Sequence, residues 1–473
     1  MSDDSETNTP ILPPIVTMQT QGESEAEGQV KLLRARNYFL ALARRVEMSP
    51  DDAQVLSMML GDRIAEYWEQ ALEASMQASE SLDDFDVHPI IDATIAKSLQ
   101  EHPDLQLVTE LYNRLPRDTV LLKQTSLEVF RQVVRAMETR NRVHLHPAEY
   151  IIMLHNYTHR LMQVEQVTEA ETESNKAMAL AREHYAHDPQ GFHNTLIDSL
   201  EVEADIAFAL GRYEESREAR AEAIRLLRAT PGRERTLAQC LNNQSRTVRS
   251  LGDTSSALEH SEAAVQIYRS LVSEGETGAN ADYSAGLQAW VDDSYAALGD
   301  GLITLSSHQL EAGRFEEALL SAQESVDIFG ELGDDFRDQF WPRYGMARHN
   351  LGLAKFSVGD LAGELVEMQE AANVYRRLAT AHSGAYLPAY VLIQGSFALA
   401  LARNDRLPEG LAQQEECVDA YRKLEQADPG RFVEQLKTAL FNLAILYEEV
   451  GRLEDASDTR SERVQLDTRA ASD

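Results

Sequence analysis

Between Lys31 and about residue 146, apolar residues recur at helical spacing, with no alternation that would mark a strand. "VKLLRARNYFLALARRV" sets Leu33, Leu40, Ala43 and Val46 on one side and carries five basic residues and no acid, the pattern of an amphipathic helix. Some basic amphipathic helices lie on membranes or seize partners, but here more helical pattern follows at once, so the stretch reads as core-packing. In "SPDDAQVLSMML", Ser49 is an N-cap and Pro50 the first helical residue. The periodicity continues through "ATIAKSL", "DLQLVTELYNRL" and "LLKQTSLEVFRQVVRAMETR". Residues 30–146 therefore form a helical N-terminal region without an assigned role. Residues 1–29, acidic and proline-containing, read as a disordered tail, and "TPILPPIV" within it as plain tail.

From Pro147 onward the pattern itself repeats. In "LEAGRFEEALLSAQESVDIF" a small residue, Ser325, lies twelve positions after Gly313, and an aromatic, Phe329, sixteen after. The same spacing returns at Gly359, Ala371 and Tyr375, and again at Asp405, Cys417 and Tyr421. Extended both ways, the anchors are Glu165, Gly211, Gly252, Gly313, Gly359, Asp405 and Gly451, at intervals of 46, 41, 61, 46, 46 and 46 residues. Seven before each anchor stand Thr158, Ala204, Ser245, Ser306, Gly352, Ala398 and Ala444, all small. Five after stand Ala170, Ser216, Ala257, Ala318, Glu364, Gly410 and Ala456. Twelve after stand Ala177, Ala223, Ala264, Ser325, Ala371, Cys417 and Arg463.

Small residues at fixed spacing let two antiparallel helices approach closely, and a glycine lets the chain turn between them. The aromatics Tyr268, Phe329, Tyr375 and Tyr421 fill the space towards the next pair. A lone hairpin cannot bury its apolar face, so stacking supplies the core. These columns, clearest in "LGRYEESREARAEAIRLL", "LGDTSSALEHSEAAVQIY" and "VGRLEDASDTRSERVQL", resemble the tetratricopeptide repeat family over about residues 148–468. The resemblance implies an all-α fold, a right-handed superhelical solenoid of antiparallel helix pairs over residues 147–473. The departure is length: the usual unit is about 34 residues. The excess follows the aromatic column and is expected to lengthen both helices. Asp188-Pro189 and Asp428-Pro429 fit a cap and first turn of the following helix. The 61-residue interval holds an insertion around residues 275–301, expected as a loop or as longer helices. Arg463 and Asp467 make the last copy polar, as befits the end of an array.

In this family the first helix of each pair lines a concave groove that holds protein segments. Carried over by column, one groove row holds Asn156, Val202, Asn243, Thr304, Asn350, Ser396 and Asn442. A carboxamide both donates and accepts, so it suits the main chain of an extended peptide. Kinesin light chain-like arrays resemble this arrangement. The same row serves equally to tie neighbouring helices together. Flanking positions that would select a partner are His155, His159, Asp198, Glu201, Asp205, Arg246, Arg249, His349, Phe356, Leu399, Phe441 and Ile445. They are charged in the early copies and apolar in the later ones, which suits a ligand with one polar and one hydrophobic end.

Candidate chemistry changes this picture little. His155 and His159 of "HNYTH" lie one helical turn apart, opposite Glu201 and Asp205 of the next copy, and a metal site, with it a metal-dependent enzyme, is the sharpest reading of those four. The motif lacks the glutamate of "HExxH", and Arg246 stands beside Asp205 as a pairing partner, so an ordinary polar groove wall is preferred. No phosphate loop, dinucleotide fingerprint or nucleophile elbow occurs in the sequence. Cys417 falls in a small-residue column and reads as a structural thiol, and Cys240 has no catalytic setting. Two cysteines are too few for a disulfide framework, the N-terminus lacks a secretory signal, and a cytoplasmic location follows as the expectation. A net charge of -34 argues against nucleic acid, and no apolar run is long enough for a membrane span. The expectation is a non-enzymatic, cofactor-free scaffold or adaptor that binds a protein or peptide. The alternative is a peptide or metabolite sensor acting on the N-terminal region.

Overall fold

The computed structural model describes residues 123–139, 146–278, 285–335, 337–381 and 383–470, with single positions between 92 and 112. The expected tail, the helix at Val30–Val46 and the Ser49–Pro50 cap lie outside the described residues. The chain divides into two compact units, 1–125 and 126–473. All described regular structure is α-helical.

The second unit is an array of helices. After α1 (Lys123–Thr139), seven hairpins follow: α2 (Pro147–Gln163) with α3 (Val167–His187), α4 (His193–Ala209) with α5 (Tyr213–Arg228), and α6 (Glu234–Ser250) with α7 (Thr254–Gly278). Next come α8 (Ala285–Glu311) with α9 (Phe315–Asp335), α10 (Arg337–Ser357) with α11 (Leu361–Ala381), α12 (Ser383–Arg403) with α13 (Leu407–Ala427), and α14 (Val433–Glu449) with α15 (Leu453–Ala470). The extra residues of each repeat lengthen the helices, and the insertion does the same, extending α7 and α8 to 25 and 27 residues. α1 lies with the array: its Leu127, Phe130 and Val134 share a core with Tyr150, Ile151 and Leu154 of α2.

All seven anchors turn the chain in the left-handed region, from φ 60° at Asp405 to 87° at Gly359. In each turn the amide of the residue after the anchor donates to a carbonyl five residues back, as Arg212 does to Ala207 at 2.8 Å and Arg314 to Gln309 at 2.8 Å. That bond closes a helix end only where the anchor has positive φ, which explains the glycines. Glu165 and Asp405 are the only non-glycine residues with positive φ among the described residues.

The small-residue columns are the crossing points. Ser216 Oγ donates to the Ala204 carbonyl at 2.8 Å, joining the column five after the anchor to the column seven before it. One column further out, Ser325 Oγ donates to Gly299 O at 3.0 Å and Cys417 Sγ to Val391 O at 3.4 Å, two equivalent contacts in different hairpins. The aromatics reach the neighbouring pair as expected: Phe329 lies 6.1 Å from the Phe340 ring and Tyr375 6.5 Å from the Tyr386 ring. Asp188 and Asp428 correct the sequence reading. Each closes the preceding helix, its amide donating to His184 or Leu424, and the next helix starts only at His193 or Val433. The five intervening residues form a turn in which Asp188 accepts from the Gly191 amide.

Candidate functional site: the inner face of the first helices

First helices of successive hairpins approach one another directly, α2 to α4, α6 to α8, α8 to α10 and α12 to α14, whereas second helices show no comparable approach. The ribbon therefore curves with the first helices inside. Their uncovered strip carries the row deduced from sequence. Asn156 is exposed, and Val202, Asn243, Thr304, Ser396 and Asn442 are half-buried. Asn350 is buried, its Nδ2 lying 2.9 Å from Ile303 O, 3.1 Å from Ser306 Oγ and 2.9 Å from Ser307 Oγ. It ties α10 to α8, the stack-binding use of that row.

Two histidines occupy equivalent places one residue before the row, and both bridge to the next first helix. His155 Nε2 lies 2.9 Å from Ser199 Oγ, and His349 Nε2 lies 2.9 Å from Ser396 Oγ. Both serine hydroxyls donate back to their own helix, to Thr195 O and Leu392 O, so the imidazoles must be the donors. Burial pushes both imidazole pKa values down to about 4, and so they are neutral near pH 7. His308, buried on α8 against Ser261 of α7, is lowered to about 4 for the same reason.

The four candidate metal ligands do not assemble. His155 is committed to Ser199, and His159 is exposed beside Gln163. Glu201 and Asp205 face Arg220 of α5, a residue the sequence reading passed over. Arg220 is 2 % exposed. Its Nη2 binds Asp205, its Nη1 donates to Ser216 Oγ at 2.9 Å and Thr247 Oγ1 at 2.7 Å, and its Nε lies 3.8 Å from Glu201. Burial raises the Glu201 pKa while Arg220 opposes the rise. A fixed guanidinium thus supplies the positive charge these acids need. No group of three or more His, Cys, Asp or Glu suited to a metal ion occurs among the described residues. Arg246, expected to pair with Asp205, stacks 5.7 Å from the Phe208 ring instead, and Arg249 pairs with Glu311. Arg220 is one of four arginines in α5, and its place between the small-column residues Ser216 and Ala223 was the only sequence signal for it.

The exposed apolar side chains of the strip are concentrated towards the last hairpins, although Ile152 of α2, at the place that Leu392 holds in α12, is also 49 % exposed. The strip's early part carries Asp198 and Asp205, held by Arg233 and Arg220, with Arg246 and Arg249. Its later part exposes Phe356 (39 %), Leu392 (48 %) and Phe441 (48 %), with Leu399 and Ile445 half-buried. Arg403 lies 3.9 Å over the Phe356 ring and Arg463 lies 5.2 Å over Phe441. Arg403 is in turn held by Glu364, a buried carboxylate in a column of small residues. No described helix is long and apolar enough to cross a membrane.

A family model described as tetratricopeptide repeat matches residues 198–270, within the second and third hairpins, and the array is tetratricopeptide-like. No curated protein matches the sequence. Among solved structures, aspartyl phosphate phosphatase F from Bacillus subtilis is similar at a TM-score of 0.48 and 12% identity, over 94% of this chain and 95% of that one. The apo form of the quorum sensor NprR from B. thuringiensis is similar at 0.47 and 14%, over 85% and 99%. A protein described as a kinesin light chain from Podosopora anserina, built of nearly identical tetratricopeptide-like repeats, reaches 0.37 and 16%, over 52% and 100%. The likeness concerns the fold alone.

Proposed function

We propose that the array is a non-catalytic scaffold or adaptor that binds a polypeptide segment along the inner strip of its first helices. The carrying observation is the alignment of Phe356, Leu392 and Phe441, exposed on three successive first helices. A segment with apolar side chains towards the last hairpins and polar ones towards the first matches the change along the strip. Asn156 and Asn442, at the two ends of the row, offer carboxamides to its main chain.

The test is a peptide-array binding measurement with the full chain, followed by titration of the best peptides. Leu392→Ser with Phe441→Ser is expected to weaken binding at least tenfold, since burying one such side chain contributes about 1.5–3 kcal/mol. Asn156→Ala with Asn442→Ala is expected to weaken it irrespective of peptide sequence. Helical circular dichroism should stay the same in both. Unchanged affinities in both variants would remove the strip from the binding surface.

A further inference from the structure

The described ion pairs of the array lie within α1, within a hairpin, between successive hairpins, or between α1 and the first hairpin, with one exception. Arg431 Nη1 stands 2.7 Å from Glu165 Oε1. Glu165 is the turn of the first hairpin, and Arg431 lies in the loop joining α13 to α14, six hairpins on.

The topology gives this contact a meaning. Turns inside hairpins all lie on one edge of the ribbon, and loops between hairpins lie on the other. The pair therefore joins opposite edges, which requires the ribbon to coil until it has advanced by its own width. Glu165 is also one of two anchors that adopt positive φ without being glycine, at φ 63°. A glycine would relieve that turn, but it would remove the carboxylate that reaches the facing edge. Arg431 is pre-oriented for the contact, with Asp428 at 3.1 Å and its guanidinium 5.3 Å from the Phe432 ring.

We propose that Glu165 and Arg431 form a latch between opposite edges of the superhelical ribbon, one that keeps the inner strip enclosed and opens when their charges are screened or removed. Both side chains are largely exposed, at 63% and 48%. A pair of that kind shifts an open–closed equilibrium by at most about fivefold. The latch is thus weak enough to release, and sensitive to salt.

Spin labels on Thr168→Cys and Gln426→Cys report the gap in the full chain, because both positions are exposed and the native Cys240 and Cys417 are buried. Pulsed dipolar distances should show one short population at low salt. Arg431→Glu should add a longer population, increased severalfold, and about 1 M salt should do the same. The charge-swapped Glu165→Arg with Arg431→Glu should restore the short distance. Glu165→Gly separates latch from turn: it should raise the unfolding midpoint by relieving the backbone while still lengthening the distance. A distribution unchanged in both Arg431→Glu and Glu165→Gly overturns the proposal. So does a long population that the charge swap fails to reverse, since loop damage would then be its cause.

Discussion

Gly410 tests whether the small-residue columns are true crossing points. A Cβ built there would fall 2.5 Å from the Ala398 carbonyl oxygen and 3.0 Å from the Ala402 amide nitrogen. Both are backbone atoms of the facing helix α12, so no side chain can swing aside. Since real Cβ contacts below 3.0 Å essentially never occur, α12 and α13 must separate by at least 0.5 Å, the difference between 3.0 and 2.5 Å. Overpacking of that kind costs about 2–3 kcal/mol. Alanine returns about 1 kcal/mol through its helix propensity. Gly410→Ala should therefore destabilise the array by about 1–2 kcal/mol. Gly330 of α9 is the control, for its Cβ would meet nothing nearer than the Tyr344 ring at 3.8 Å. There propensity acts alone, and Gly330→Ala should stabilise by about 1 kcal/mol. Urea unfolding followed by far-UV circular dichroism reads both, as midpoint shifts of opposite direction. If the two substitutions move the midpoint the same way, the crossing at Gly410 is wider than the structure has it.

Two further outcomes are expected. His155, His308 and His349 have folded-state pKa values of about 4 against 6.5 unfolded, even though Asp198 beside His155 and Glu311 beside His308 oppose the shift. The unfolded chain binds the protons first, so their contribution is intact above pH 6.5 and is lost as pH falls from 6.5 towards 4; at pH 5 each removes about 2 kcal/mol. Urea midpoints measured across that window should fall, and His155→Gln with His349→Gln should flatten the slope; a midpoint indifferent to pH between 6.5 and 5 would mean the imidazoles are solvated. Burial pushes the Cys417 thiol up to about 12 and raises that of Cys240 as well. Neither should react with a thiol reagent until the array unfolds, and Cys417→Ser should keep native stability because Ser325 makes the equivalent bond; rapid labelling of the native protein would contradict the buried placement.

Local spacing carries much of this protein. The seven hairpin turns were legible in sequence because a left-handed residue at a helix end is a local requirement, met by five glycines, Asp405 and Glu165. The small columns were legible because a crossing point recurs at the same distance from every turn. The shared face of the first helices could also be read from periodicity, since residues seven apart share one helix face. The partners of polar groups could not. Arg220, rather than Arg246, answers Asp205; Asn350 binds its neighbours; and Asp188 and Asp428 end helices instead of starting them. Each choice depends on which side chain a neighbouring helix brings within about 3 Å, and long flexible side chains reach across several columns. The contact between Glu165 and Arg431 lies further still from the sequence, because it is fixed by small rotations between hairpins summed over six of them. Spacing along the chain thus determined the hairpins, their turns and the face they present. The curvature of the stack alone decided which charges meet across it.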